Sequence, residues 1–86
     1  MKKVTEYIEA NRRFIICEAE GTFWAFEDKD IDAAGRLTKQ INGIAGHTAD
    51  SVSETIKKVS IQIKVDALVA AGMEPTAAVL KVVCGL

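Results

Sequence analysis

Cys17 and His47 are the strongest candidates in this sequence for nucleophilic catalysis. A thiol nucleophile needs a base within hydrogen-bonding distance and a third group that orients the base. The apolar residues before Cys17 disfavour its thiolate form, and nothing in the spacing brings His47 near it. No catalytic residue is therefore predicted, and an enzymatic function is not favoured.

Metal binding is the second chemistry that the polar residues could support. Asp28, Asp30 and Asp32 have the opening spacing of an EF-hand calcium loop. The loop position that requires glycine is Ala33, and the position that requires a bidentate glutamate is Lys39. One histidine and two distant cysteines have no zinc-ligand spacing. We predict no metal site and no cofactor, and the aspartates fit better as helix caps.

Two further motifs are incomplete. Gly43-Ile-Ala-Gly46 is too short for a phosphate-binding loop and lacks the Lys-Ser/Thr pair that follows one. Cys17 and Cys84 do not form the framework of several cysteines that small secreted proteins carry. The sequence leaves open whether these two thiols pair, although the lack of a secretion signal favours free thiols.

Residues 38–58 have the outline of a DNA-binding helix-turn-helix, because two predicted helices flank a short turn that contains glycine. Asn42 and His47 stand where that motif packs apolar side chains. The second helix carries Lys57 and Lys58, but it has no arginine for guanine recognition and no strongly basic face. A DNA-binding regulator is kept as an alternative function, and nucleic acid is not the expected partner.

Four of the five aromatic side chains lie in one short segment, residues 14–28, that has the pattern of a β-hairpin. Its aromatics must occupy both faces, since Trp24 and Phe26 can share a face and Phe23 cannot join them. A stacking platform for single-stranded nucleic acid would interleave these rings with lysine and arginine, whereas acidic residues follow here. A second alternative is a small-molecule-binding protein with a pocket between the aromatic sheet and the helices.

The hairpin needs further strands or helices, because an isolated two-stranded hairpin is marginal in water. Residues 14–20 and 22–28 are its two predicted strands. Residues 3–10 combine strand-forming residues with a short helical stripe, and we favour a third strand that completes a meander. Asn11-Arg12-Arg13 is a break in either case.

Three helices are predicted after the strands. The first begins at a cap formed by Asp30 or Asp32 and ends near Gly43. The second begins at the capping box Ser51-Val-Ser-Glu54 and extends to Ala71. The last begins at Pro75, which is tolerated in a first turn.

The second predicted helix contains a segment that could also form a strand. Its residues 59–65 also alternate like a strand, and that alternative stays open, although the long helical stripe favours the helix. As a helix, this segment gives the second helix two opposed apolar stripes. The last helix is apolar nearly all round, with Lys81 as its one charge, and must therefore be buried. We expect it to pack on the second stripe, within the chain or across a homodimer interface. The predicted contacts for a ligand or a second subunit are Phe23, Trp24, Phe26, Ile61, Val65 and Leu68.

Size and composition favour one small domain over residues 1–86. A net charge of −1 and a hydrophobic fraction of 49% exclude disorder and give no strong preference for anionic partners. No apolar run approaches the ~18 residues that span a bilayer, so we expect a soluble cytoplasmic protein without a membrane partner.

The predicted fold is α+β, with an N-terminal antiparallel β-hairpin or three-stranded meander followed by three helices. The predicted function is a small non-enzymatic binding or accessory protein that acts as a homodimer, with a protein or small-molecule ligand.

Overall fold

The structure is a computed structural model that describes residues 2–30 and 47–86. Within these residues the chain forms one four-stranded antiparallel sheet and two α-helices, which confirms the α+β class. The elements are β1 (Lys2–Glu9), β2 (Arg12–Ala19), β3 (Thr22–Glu27), β4 (His47–Ala49), α1 (Val52–Ala70) and α2 (Pro75–Cys84). The strands lie in the order β1-β2-β3-β4.

The number of helices is corrected. The described part of the chain contains two α-helices after the meander, where three were predicted. The first predicted helix, from Asp30 or Asp32 to Gly43, lies outside the described residues except for its start. At that start, Asp28–Asp30 form a short 3₁₀ turn directly after β3.

The three-stranded meander that we favoured is confirmed, and two tight turns set its register. The connections are Ala10-Asn11 and Glu20-Gly21, each two residues long. All four residues have a positive φ, between 53° and 79°, which is the type I′ geometry that matches the twist of paired strands. Gly21 adopts this conformation without steric cost, whereas Ala10 and Glu20 each lose about 1 kcal/mol. The pairing of the long strands must therefore offset the strain in both turns.

The fourth strand was not predicted. His47 was expected in a loop between helices, but His47–Ala49 pair antiparallel with β3. A strand of three residues is too short to show the two-residue alternation that identifies strands in sequence. The Lys58 ammonium donates a hydrogen bond of 2.6 Å to the Thr48 carbonyl and connects β4 to α1.

One face of the sheet packs against α1 and forms the core. Phe14 and Ile16 of β2 and Ala25 of β3 are buried there together with Val59 and Ile63 of α1. Cross-strand pairing places Ile16 opposite Ala25, and the two helical residues lie one turn apart on the same side of α1. The core is thus one layer of aliphatic and aromatic side chains between the sheet and α1.

The helical interpretation of residues 59–65 is confirmed, because they lie inside α1, and the strand alternative is wrong. The predicted capping residue is also confirmed: the Ser51 hydroxyl oxygen accepts the Glu54 amide at 3.2 Å. Thr55 is fully buried among apolar residues, and its hydroxyl donates to the Ser51 carbonyl at 2.8 Å. This bond satisfies the polar atom that the core encloses.

The last helix starts at the predicted residue. Pro75 is its first residue, and the Glu74 carboxylate caps it by accepting the Ala77 amide at 3.0 Å. Gly85 ends it with a φ of 72°, a left-handed conformation that glycine adopts readily. Pro75 and Gly85 therefore determine the length of α2.

Within a single chain, α2 is only partly buried. α2 packs on α1, and Ala78 on its inner side is fully buried. Val79, Leu80 and Val83 are 43–57% exposed. Since α2 is the outer layer of the described fold, one side of an apolar helix is left at the surface.

Candidate functional site

A groove of about 560 Å³ lies between β1, α1 and α2, and we call it the α1–α2 groove. This volume is within the range of roughly 300–1,000 Å³ that is typical of small-molecule sites. Its apolar lining consists of Ile56 and Ile61 from α1 and Val82 and Val83 from α2. The groove exists because α2 packs against α1 beside the edge strand β1.

The polar lining of the α1–α2 groove comes mainly from one side of α1. Ser53, Lys57, Ser60 and Lys64 line it, and their spacing of three or four residues places them in a row along the helix. Tyr7 of β1 lines the opposite side. The site therefore presents a row of cations and hydroxyls beside aliphatic side chains.

Tyr7 and Ser60 are held in place by the carboxylate of Glu9. This carboxylate accepts a hydrogen bond from the Tyr7 hydroxyl and one of 2.8 Å from the Ser60 hydroxyl. These two bonds, with the nearby charge of Lys64, hold the pKa of Glu9 below its usual range. The bond to Glu9 also raises the pKa of Tyr7, because a phenolate would face a carboxylate. Neither group titrates near neutral pH, so this cluster is suited to fixing geometry and not to proton transfer.

Lys57 and Lys64, the lysines of the groove, form no ion pair with the residues that the structure describes. Among the described residues, no carboxylate oxygen lies within 4.0 Å of the ammonium of Lys57 or Lys64. Lys3, Arg12, Arg13 and Lys29, by contrast, all have such a partner. The groove thus has an uncompensated positive charge beside its apolar lining.

A second polar cluster joins β2, β3 and α1 around Arg12. Its guanidinium donates two hydrogen bonds, of 3.0 and 2.7 Å, to the Glu27 carboxylate and one of 2.8 Å to Asp66. It also lies 5.4 Å from the centre of the Phe14 ring, a cation–π distance. The Arg12 hydrogen bonds hold the pKa of Glu27 below its usual range. Because the partners satisfy one another, we interpret this cluster as structural.

Lowered carboxylate pKa values predict that the protein loses stability in acid. Hydrogen bonds from Arg13 and Lys3 lower the pKa of Glu6 to about 2, and Arg12 lowers the pKa of Glu27. A lowered folded-state pKa stabilises the fold above the unfolded value, 4.5 for glutamate, and this contribution is lost as pH falls through the folded value. Urea unfolding at a series of pH values from 7 down to about 2 should show this decline.

Glu27→Gln tests the origin of that decline. We expect a weaker pH dependence in this variant than in the wild type below about pH 4.5, because the amide that replaces the carboxylate is not protonated in this range. Glu20→Gln is the control, since Glu20 lies in an exposed turn and makes no ion pair among the described residues. An acid profile of Glu27→Gln that matches the wild type would contradict the assignment.

The hairpin aromatics predicted to contact a ligand lie away from the groove lining. Phe23 lies on the face that α1 covers and packs against the core. Trp24 and Phe26 lie on the opposite face, with parallel rings whose centres are 6.4 Å apart, and Phe26 is only 4% exposed. The structure therefore separates these three side chains onto two faces of the sheet, as their spacing required.

The three predicted candidates on α1 lie on the side of the helix that points away from the sheet. Ile61 lines the α1–α2 groove, and Val65 and Leu68 are half-buried. Sequence reasoning missed Tyr7 and Ser60 as groove residues, since they are far apart in the chain. The row formed by Lys57, Ser60 and Lys64 was visible as helical spacing, but nothing in the sequence indicated that a groove lies beside it.

Two of the sequence-based alternatives can be placed on the structure. Cys17 and Cys84 are free thiols, and burial raises the pKa of the Cys17 thiol, which opposes nucleophilic chemistry. In the helix-turn-helix considered for residues 38–58, residues 47–49 form β4. A strand is foreign to the turn of that motif, so this segment gives the DNA-binding alternative no support.

In residues 2–30 and 47–86, no helix is both long and apolar enough to cross a membrane. In the same residues, no three His, Cys, Asp or Glu side chains are grouped so that they could hold a metal ion.

Fold alone does not determine function, so the groove has to be weighed together with relatives where these exist. Comparisons of this chain with protein-family models, with curated proteins and with solved structures find no match.

Proposed function

We propose that this protein is a small non-enzymatic binding protein that acts as a homodimer through the outer surface of α2. The observation that supports the proposal is the exposure of Val79, Leu80 and Val83, at 45%, 43% and 57%, on a helix whose one charged residue is Lys81. Single exposed apolar residues are common, but an apolar surface that continues along an outer helix marks an interaction site.

The sheet edge is the competing route to a dimer. In β1, Val4 and Ile8 are 45% and 65% exposed, and β1 is an edge strand. However, this edge carries Lys2, Lys3 and Glu6, and its register is broken between Lys3 and Thr5. Charges and bulges on an edge strand oppose pairing with another chain, which favours α2 as the interface.

The dimer interface must extend beyond α2. A helix of 10 residues is about 15 Å long, and a typical interface buries about 800 Å² on each partner. Leu86, which is 79% exposed, and Val69, which is 38% exposed, extend the apolar surface at the two ends of the α1–α2 pair. A two-fold axis beside α2 would bring two such helical pairs together as a four-helix arrangement.

The association is tested by sedimentation velocity over a range of protein concentrations. We expect a reversible dimer in the wild type and at least a tenfold weaker association in Leu80→Glu, because a carboxylate in the interface must be desolvated. Ala67→Glu, which places the same charge on an exposed position of α1, is the control and should leave the dimer intact. A wild type that stays monomeric throughout the micromolar range would refute the proposal.

A further inference from the structure

We propose that the α1–α2 groove binds an amphipathic organic anion, of the class that carries one carboxylate on an unbranched apolar chain. The proposal gives a ligand class to the binding function proposed above, and it does not depend on dimerisation. It rests on three properties of the groove: its apolar lining, its excess charge and its size.

The apolar lining favours an aliphatic group. Ile56, Ile61, Val82 and Val83 come from two helices and meet in this groove. Ile56, Ile61 and Val82 are only partly buried, so part of this lining contacts solvent in the free protein. An aliphatic chain laid along these residues would remove apolar surface from water on both partners, which favours binding.

The charge of the groove favours an anionic head group. Lys57 and Lys64 line it from positions two helical turns apart, about 10 Å along α1. The charge of Lys64 helps to lower the pKa of the Glu9 carboxylate, and that carboxylate accepts the hydroxyls of Tyr7 and Ser60. Two ammonium groups and one engaged carboxylate leave a net positive charge, so either lysine can pair with a ligand carboxylate while the chain lies on the apolar residues.

The volume of the groove is that of a small-molecule site. At about 560 Å³ it lies within the range of roughly 300–1,000 Å³ that is typical of such sites. A flexible single chain of about ten carbons is narrow enough to follow the groove between β1 and α2.

The test is titration of the full chain with three probes below their micelle concentrations, followed by calorimetry and by amide chemical shifts. Decanoate should bind saturably and shift the amides of Ile61, Lys64 and Val82. Decyltrimethylammonium, with the same chain and the opposite charge, should bind at least tenfold more weakly, and butyrate should show no binding. Equal affinity for the two ten-carbon probes, or decanoate shifts that map outside the groove, would overturn the proposal.

Variants of the groove lysines give the matched comparison. The double variant Lys57→Gln, Lys64→Gln should bind decanoate at least fivefold more weakly than the wild type. Lys81→Gln, which removes the same charge from an exposed position outside the groove lining, should bind it normally. Loss of binding in Lys81→Gln to the same extent would overturn the proposal, because it would make the effect one of net charge.

Measuring the oligomeric state distinguishes a failure of the ligand proposal from a failure of the dimer proposal. Leu80→Glu, even as a monomer, should still bind decanoate, since Leu80 does not line the groove. If the wild type sediments as a monomer and binds decanoate, the dimer fails and the ligand site stands. If groove amides shift with protein concentration alone and decanoate does not compete, a second copy occupies the groove and the ligand proposal fails.

Discussion

Replacing Ile16 by alanine is expected to lower the free energy of unfolding by about 3–4 kcal/mol. Ile16 is fully buried in the middle of β2, where it packs in the core with Ala25 and Val59. Removing its aliphatic branches leaves a cavity, because strands on both sides and a helix above cannot all move inward. A domain of this length is stabilised by only about 4–13 kcal/mol in total.

The neighbouring isoleucine is the matched control for that prediction. Ile15 lies on the opposite face of β2, is half-buried and pairs with Phe26 across the sheet. We expect Ile15→Ala to cost about 1–2 kcal/mol, since its side chain loses less buried contact. Both variants should be compared with the wild type by urea unfolding at one fixed protein concentration, because association would add to the apparent stability. Equal losses would show that the α1 side is not the main core.

Local signals were sufficient to predict the meander and both described helices. The hairpin followed from the aromatic residues clustered in residues 14–28, and α1 followed from the cap at Ser51. The start of α2 followed from Pro75, which is tolerated in the first turn of a helix. Each of these signals acts between residues that are close together in the chain, so the local sequence is sufficient to predict the strand or helix.

Contacts between residues far apart in the chain could not be predicted in this way. Tyr7 and Ser60 meet at Glu9 although 51 positions separate Glu9 from Ser60, and no periodicity encodes that meeting. Arg12 falls in a predicted break because charged residues usually mark loops, yet it opens β2. Its carboxylate partners on β3 and α1 make a charged strand residue stable, and they are visible only in the folded chain.

The surface that covers α2 could not be predicted for a related reason. A helix that is apolar nearly all round is expected to be covered on every side, and the sequence gives no means of counting the surfaces available to cover it. In the structure α1 meets the sheet with Val59 and Ile63 and meets α2 on another side. The described fold then provides nothing to cover the outer surface of α2, and this excess of apolar surface is what makes a homodimer the economical solution.

Replacing Arg12 by alanine is the second large effect, with an expected loss of about 2 kcal/mol. The guanidinium bridges Glu27, whose side chain is 12% exposed, and Asp66, which is 43% exposed. Removing Arg12 leaves the largely buried Glu27 carboxylate with the Lys29 ammonium, 3.8 Å away, as its remaining ion-pair partner among the described residues. A largely buried charge that loses its main partner costs more than the pair itself contributes. The exposure of Asp66 reduces the loss, since solvent screens that half of the cluster.

Arg13→Ala isolates this effect from a simple loss of charge. Arg13 is 43% exposed and pairs with Glu6 and Asp28 at the surface, so its removal should cost no more than about 0.5 kcal/mol. Arg12→Lys should recover only part of the stability, because an ammonium cannot make the two parallel bonds to Glu27. A double-mutant cycle that combines Arg12→Ala with Asp66→Asn, measured by urea unfolding, gives the part of the stability loss that comes from the contact between β2 and α1. If Arg12→Ala and Arg13→Ala lose the same stability, Arg12 does not connect the sheet to α1 energetically, and the packing of Val59 and Ile63 alone holds α1 in place.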